Sequence, residues 1–250
     1  MLNKANFVVI TFYKFVNLPH YRELKPLLLK ICNSQFIRGT ILLANEGINS
    51  TITGTQESIE YFQREVDKLP SLSDIIYKHS YASFQPFKRM KVLLKEQIVT
   101  FHSDCEFDPV KDVGKHLNSD EWDDLILRDD VMVVDTRNHY EVVFGTFKNA
   151  INPGTNSFSE LVQWTSSNPD LRDKSKKIAM FCTGGVRCEK STAYMRKLGY
   201  SNIYHLNGGI LKYIEDKMGQ DSLWQGHCFV FDDRIALDKN LEPLNVAVRQ

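Results

Sequence analysis

At 250 residues and 42% hydrophobic composition, the chain is long enough to bury the cores of one or two domains. Its first apolar run, Phe7 to Phe12, is too short to span a membrane or act as a cleaved leader, and Lys4 and Asn6 precede it; a cytoplasmic protein is expected, without signal peptide or membrane span. Five cysteines, at positions 32, 105, 182, 188 and 228, are odd in number and dispersed, which suits a reducing compartment better than a disulfide scaffold. No cysteine pair has C-x₂-C spacing and the seven histidines are scattered along the sequence, so no bound metal is expected. The net charge is zero, but residues 1–100 carry 13 basic against 8 acidic side chains, while residues 101–225 carry 15 against 19. That asymmetry points to an acidic partner for the first part, or merely to a solvated basic surface.

In chain order, Phe7 to Phe12 reads as a strand and Tyr21 to Cys32 as a helix with Leu24, Leu27, Leu28 and Ile31 on one face. Arg38 to Ala44 and Ile48 to Thr53 read as strands joined by a turn at Asn45-Glu46-Gly47. Thr55 to Leu69 follows as a helix closed before Pro70, and Asp74 to Ser80 as a last strand. The order βαββαβ predicts a ferredoxin-like domain. Acylphosphatases share that order, but no matching phosphate-binding glycine turn with arginine is visible, so their activity is not expected here.

From Ile75 to Lys95 there is no acidic residue, while Lys78, Lys88, Arg89, Lys91 and Lys95 alternate with Tyr77, Tyr81, Phe84 and Phe87. Cations interleaved with rings suit phosphates and stacked bases, so these five cations are candidate nucleic-acid contacts. The competing reading is an interdomain connector with solvated lysines. Domain bounds are expected at 1–100, 101–225 and 226–250, the last a C-terminal extension.

In the second part, Ser119-Asp120-Glu121-Trp122 opens a short helix, Val131 to Val134 is a buried strand, and Phe158 to Ser166 is a helix. Ile178 to Phe181 reads as another strand, Ser201 to Leu206 as a further one, and Ile210 to Met218 as a helix. Strands alternating with helices predict a parallel α/β sheet with its site at the carboxyl ends of the strands. Cys182 stands there, between the strand ending at Phe181 and a helix carried by Glu189 to Leu198. Gly184 and Gly185 allow the connecting backbone to turn its N–H groups inward, and the helix directs its positive end to the same place. Such an anion cradle lowers a thiol pKa and makes Cys182 a candidate nucleophile; the alternative is an inert core cysteine. Asp135 and Arg137 either contribute charge near this loop, or Asp135 at its strand end caps a turn and pairs with a nearby cation. Cys188 is either a packing residue or a candidate resolving thiol for an oxidised Cys182.

Only four residues separate Cys182 from Arg187, fewer than cysteine phosphatases place between the two, so the loop is too tight for phosphate. The loop Cys182-Thr183-Gly184-Gly185-Val186-Arg187 resembles that of rhodanese domains. Asp135-Thr136-Arg137, Gly145 to Pro153 and Leu206-Asn207-Gly208-Gly209 are similar to further rhodanese segments. Together with Leu43-Ala44-Asn45-Glu46-Gly47-Ile48-Asn49 and Cys228-Phe229-Val230-Phe231-Asp232-Asp233-Arg234, nearly the whole chain resembles the bacterial tRNA uridine hydroxylases. Many of those proteins have a cysteine-rich tail beyond the last of these segments, and none is found up to Gln250.

The resemblance implies oxygen-dependent 5-hydroxylation of the wobble uridine, position 34 of tRNA. It implies Cys182 as the required residue, tRNA and molecular oxygen as substrates, and no cofactor or protein partner that the sequence itself reveals. No flavin fingerprint and no two-histidine, one-carboxylate cluster is apparent in the sequence. Two alternatives stay open: a rhodanese-type sulfurtransferase carrying a persulfide, which leaves the basic part unexplained, and a noncatalytic RNA-binding module.

Overall fold

The computed structural model describes residues 7–244. They divide into two compact units: one made of the residues up to Val99 together with those from Val230, and one of Thr100–Phe229. The segment expected as a C-terminal extension is thus shared between them, and its last residues lie outside those described.

In the first unit the order is β1 (Phe7–Phe15), α1 (Tyr21–Ser34), β2 (Arg38–Ala44), β3 (Gly47–Gly54), α2 (Gln56–Asp67), β4 (Lys78–Ala82) and β5 (Met90–Leu94). The sheet order is β4-β1-β3-β2-β5, antiparallel except that β5 runs parallel to β2. Without β5 this is the expected ferredoxin-like arrangement. Val8, Ile10 and Phe12 recur with period two and point into the core, where they meet Leu28 and Ile31 of α1 and Ile59, Phe62 and Val66 of α2 at helical spacing. Each such side chain contributes about 1.5–3 kcal/mol by burial. The β2–β3 turn requires Gly47: its φ is +143°, and a Cβ there would lie 2.0 Å from the Lys14 carbonyl oxygen.

Two expectations for this unit are corrected. The stretch through Lys95 is no bare connector, because Met90–Leu94 adds an edge strand with Val92 buried. An edge strand with one core-facing residue has too short an apolar period to read as a strand. Lys78 is also no surface cation: it is 4% exposed, with its ammonium 4.4 Å from the centre of the Tyr13 ring. Lys88, Arg89, Lys91 and Lys95 are exposed on or beside β5; Tyr81 and Phe84 are also exposed, but Tyr81 lies on β4, at the opposite edge of the sheet.

The segment after Val230 is tied down by Arg234. Its guanidinium grips Asp232 at 2.7 Å through both Nε and Nη2, and its Nη1 donates to Ser80 Oγ on β4 at 2.7 Å. Both charged side chains are 1% exposed. Arg234→Ala leaves the Asp232 carboxylate buried and unpaired, so the protein is expected to lose about 3–5 kcal/mol of stability in urea unfolding.

The second unit runs β6 (Lys115–Leu117), α3 (Ser119–Ile126), β7 (Val131–Asp135), α4 (His139–Val142), β8 (Gly145–Phe147), α5 (Glu160–Ser167), β9 (Lys177–Phe181), α6 (Val186–Lys197), β10 (Ile203–Leu206), α7 (Gly209–Asp216) and β11 (Trp224–Gly226). The sheet order β6-β10-β9-β7 is parallel throughout, as the alternating pattern predicts. Ile178, Ala179, Met180 and Phe181 of β9 are all fully buried, the continuous apolar run of a strand covered on both faces. Trp122, Phe147, Phe181, Tyr213 and Trp224 interlock by tilted and edge-to-face contacts. Among the described residues no helix is long and apolar enough to cross a membrane.

Candidate active site

The six-residue loop lies where β9 hands over to α6. Gly185 sits at the start of α6 with φ +99°, a left-handed conformation that glycine adopts without Cβ strain. That turn directs its N–H at the Cys182 sulfur from 3.2 Å. On the other side, the first turn of α7 holds the loop carbonyls away from the sulfur: Ile210 N–H donates to the Cys182 carbonyl at 3.0 Å and Leu211 N–H to that of Thr183 at 3.1 Å. Gly209 makes this approach feasible. A Cβ there would stand 2.5 Å from the Cys182 carbonyl oxygen and 2.7 Å from the Gly185 nitrogen.

Cys182 is fully buried, and burial by itself raises a thiol pKa. Here burial is outweighed by a hydrogen bond from the Cys188 thiol, the Arg187 charge, and the Arg187 and Cys188 backbone N–H groups, so Cys182 titrates well below the usual thiol range. Cys188 moves the opposite way, raised by burial and by donating to the Cys182 sulfur. The Thr136 hydroxyl lies 3.7 Å from its sulfur. Burial pushes Cys32 and Cys228 up to about 12, and Cys105 is also raised, by desolvation and the nearby Asp104. Cys182 alone among the five is shifted toward the thiolate.

A thiol with a lowered pKa is reactive above that value and loses reactivity as pH falls through it. Alkylation of Cys182, followed by peptide mapping across a pH series, is therefore expected to have its midpoint on the acid side of neutrality, with the other four cysteines unlabelled there. A midpoint in the ordinary thiol range would contradict this electrostatic account.

Arg187, which sequence places in the loop, does not face the sulfur alone. It forms a two-pronged pair with Glu141, at 2.6 Å and 2.7 Å, and Glu141 Oε1 also lies 3.4 Å from the Thr183 hydroxyl. Glu141 is fully buried. Burial opposes its ionisation, yet the Arg187 charge and hydrogen bonds hold its carboxyl below the usual range. Sequence reasoning missed this residue. The Asn138 backbone N–H does donate to Glu141 at the start of α4, at a spacing that marks a helix start but not a partner 46 positions away.

Asp135 and Arg137 pair with each other in the interior, at 2.9 Å and 2.7 Å; Arg137 also donates to the Gly145 carbonyl and lies over the Trp224 ring. The pair locks β7 to β8, and its charges also reach the loop, Asp135 raising the pKa of Arg187 and Arg137 lowering that of Glu141. The histidines dispersed in the sequence do not all stay apart: His116 of β6 and His205 of β10 meet Glu189 of α6, the two-histidine, one-carboxylate grouping that the sequence conceals. The Glu189 hydrogen bond raises His116, while burial lowers His205 to about 4.

Residues 7–98 match the UPF0176 acylphosphatase like domain, and residues 118–216 match the Rhodanese-like domain. Proteins named tRNA uridine(34) hydroxylase from Anaplasma phagocytophilum, Picosynechococcus sp. and Wolbachia pipientis are similar over nearly the full chain. They are 46%, 50% and 48% identical over 243, 237 and 241 residues, spanning 97%, 95% and 96% of this chain and 87%, 79% and 86% of theirs. With both units matched in order and a rhodanese loop built around a thiolate-favouring cradle, the chain belongs to the tRNA uridine(34) hydroxylase family.

Proposed function

We propose that this protein hydroxylates C5 of the wobble uridine of tRNA, with dioxygen as cosubstrate and Cys182 as the reacting side chain. The observation that carries the reading is the loop built around the Cys182 sulfur, with the Gly185 N–H at 3.2 Å and Arg187 favouring its thiolate, in a chain similar to hydroxylases over 95% of its length. In this reading the Cys182 thiolate adds to C6 of the uracil, and the electron pair of the C5–C6 double bond moves onto C5 and O4. C5 then takes up one oxygen atom of dioxygen, while a cellular two-electron donor reduces the second to water. Loss of the C5 proton and expulsion of the thiolate restore the double bond. The loop N–H groups and Arg187 stabilise the departing thiolate. Because Cys182 is fully buried, the base reaches it only when the groups covering the loop move.

The exposed cations Lys88, Arg89, Lys91 and Lys95 on and beside β5 are assigned to tRNA phosphates. Converting Lys88, Arg89 and Lys91 together to glutamine is expected to weaken tRNA binding. It should also reduce the slope of log affinity against log salt by about 2–3, measured by filter binding from low to moderate salt. An unchanged slope removes these residues from the interface.

Incubating the full chain with an unmodified tRNA transcript, an extract of its host and ¹⁸O₂ tests the activity. Heavy oxygen in 5-hydroxyuridine at position 34 is expected. Absence of hydroxylation with active thiosulfate or persulfide transfer would replace the reading by sulfur transfer. Absence of both with intact tRNA binding would leave a noncatalytic RNA-binding module.

A further inference from the structure

In the second unit β6 and β10 pair in parallel with His116 directly opposite His205, so the two imidazoles leave the same face of the sheet. α6 packs on β10 and β9, and its first turn carries Glu189 onto that pair. Glu189 Oε1 is 3.1 Å from His116 Nε2, and Oε2 is 4.0 Å from His205 Nε2. The two rings are 4.0 Å apart between centroids, and one donor atom from each of the three residues lies within 4.8 Å of the others.

His205 is the informative member. Its side chain is 1% exposed, and neither ring nitrogen has a hydrogen-bond partner of normal geometry, although the Gly114 backbone lies near. A buried polar atom left unsatisfied costs about 1–3 kcal/mol, and such atoms are rare in folded proteins unless something occupies them. A simple His116–Glu189 pair explains two of the three side chains and leaves His205 without a purpose.

We infer that His116, Glu189 and His205 form a binding site for a divalent transition-metal ion. Metal–nitrogen and metal–oxygen bonds of about 2.0–2.2 Å set ligand atoms about 3–4 Å apart, the spacing already present between the carboxylate and the two imidazoles. Two imidazoles and one carboxylate suit zinc, iron(II) or cobalt(II) better than magnesium or calcium, and three protein ligands leave coordination positions for water or another small ligand. The His116 side chain is 41% exposed and gives the ion a route from solvent. The site is separate from the cradle of Cys182 and stands independently of the uridine reading, because none of its three members supplies the charge or hydrogen bonds that lower the thiol.

The test strips the full chain with chelator and titrates it anaerobically with Co²⁺, reading calorimetry and visible absorption. One Co²⁺ per chain is expected, with d–d bands and no sulfur-to-cobalt charge transfer. His116→Ala, His205→Ala and the isosteric Glu189→Gln should each weaken binding at least about tenfold, and Cys182→Ser should leave it unchanged. His116→Ala changes a rim residue and Glu189→Gln keeps the side-chain shape, so circular dichroism identical to wild type is expected for both. Absence of saturable binding by the wild type, wild-type affinity in His116→Ala and Glu189→Gln, or a sulfur charge-transfer band would each overturn the assignment.

Discussion

Cys182→Ser is expected to lower wobble-uridine hydroxylation by at least about 10³-fold, with little change in stability, when transcript and host extract are incubated with the full chain under oxygen. Serine occupies nearly the same volume and can accept the Gly185 N–H that reaches the sulfur from 3.2 Å, so the loop retains its shape. What disappears is ionisation: the cradle that brings a thiol into the accessible range cannot bring an alcohol there. Melting curves that coincide with wild type separate this chemical loss from a folding defect. Substitution of Cys188 distinguishes its two readings. Cys188→Ser keeps a donor to the Cys182 sulfur but cannot form a disulfide, and Cys188→Ala removes both. Retained activity in the serine variant, with the alkylation profile moved to higher pH in the alanine variant, assigns Cys188 to positioning rather than to resolution.

The second large effect is expected at Arg187. Arg187→Met nearly preserves volume but leaves the Glu141 carboxyl fully buried without its charge partner. Removing one partner of a buried pair costs about 3–5 kcal/mol, which is measurable as a lower urea midpoint at unchanged slope. The electrostatic consequence has a definite sign. The Arg187 charge lowers the Cys182 pKa, so its removal shifts alkylation and hydroxylation to higher pH. Arg187→Met combined with Glu141→Leu replaces the pair by apolar groups. That double variant is expected to recover most of the stability while the thiol remains poorly ionised. Recovery of both properties together would mean that Arg187 acts through packing alone.

The parallel sheet and the six-residue loop between β9 and α6 were legible because their signals are local. A run of four apolar residues from Ile178, two glycines and a helix start follow one another directly, and Gly185 adopts the positive φ that such a turn demands. The βαββαβ order was equally open to reading, since Phe12, Leu28 and Phe62 repeat at the periods of their elements. The missed features are those whose partners are distant in sequence. Glu141 is a cap residue by spacing and becomes the partner of Arg187 only when β7 and β9 lie side by side. The His116 and His205 pairing needs the register of β6 on β10, and no spacing rule links positions 89 residues apart. Lys78 misled for another reason: its charge signals solvent, yet the Tyr13 ring accepts the ammonium within the folded sheet. The strand Met90–Leu94 escaped because an edge strand shows only alternate burial, with Val92 inward and Lys91 outward.

The most direct test of the central claim is made in the host. With its gene deleted, total tRNA is isolated, position 34 is mapped and its nucleosides are quantified by mass spectrometry, with plasmids supplying either the wild type or Cys182→Ser at matched protein levels. The predicted result is loss of 5-hydroxyuridine and its derivatives on deletion, full return with the wild type and none with Cys182→Ser. Persistence of 5-hydroxyuridine in the deletion strain, or its return with the serine variant, would contradict the account.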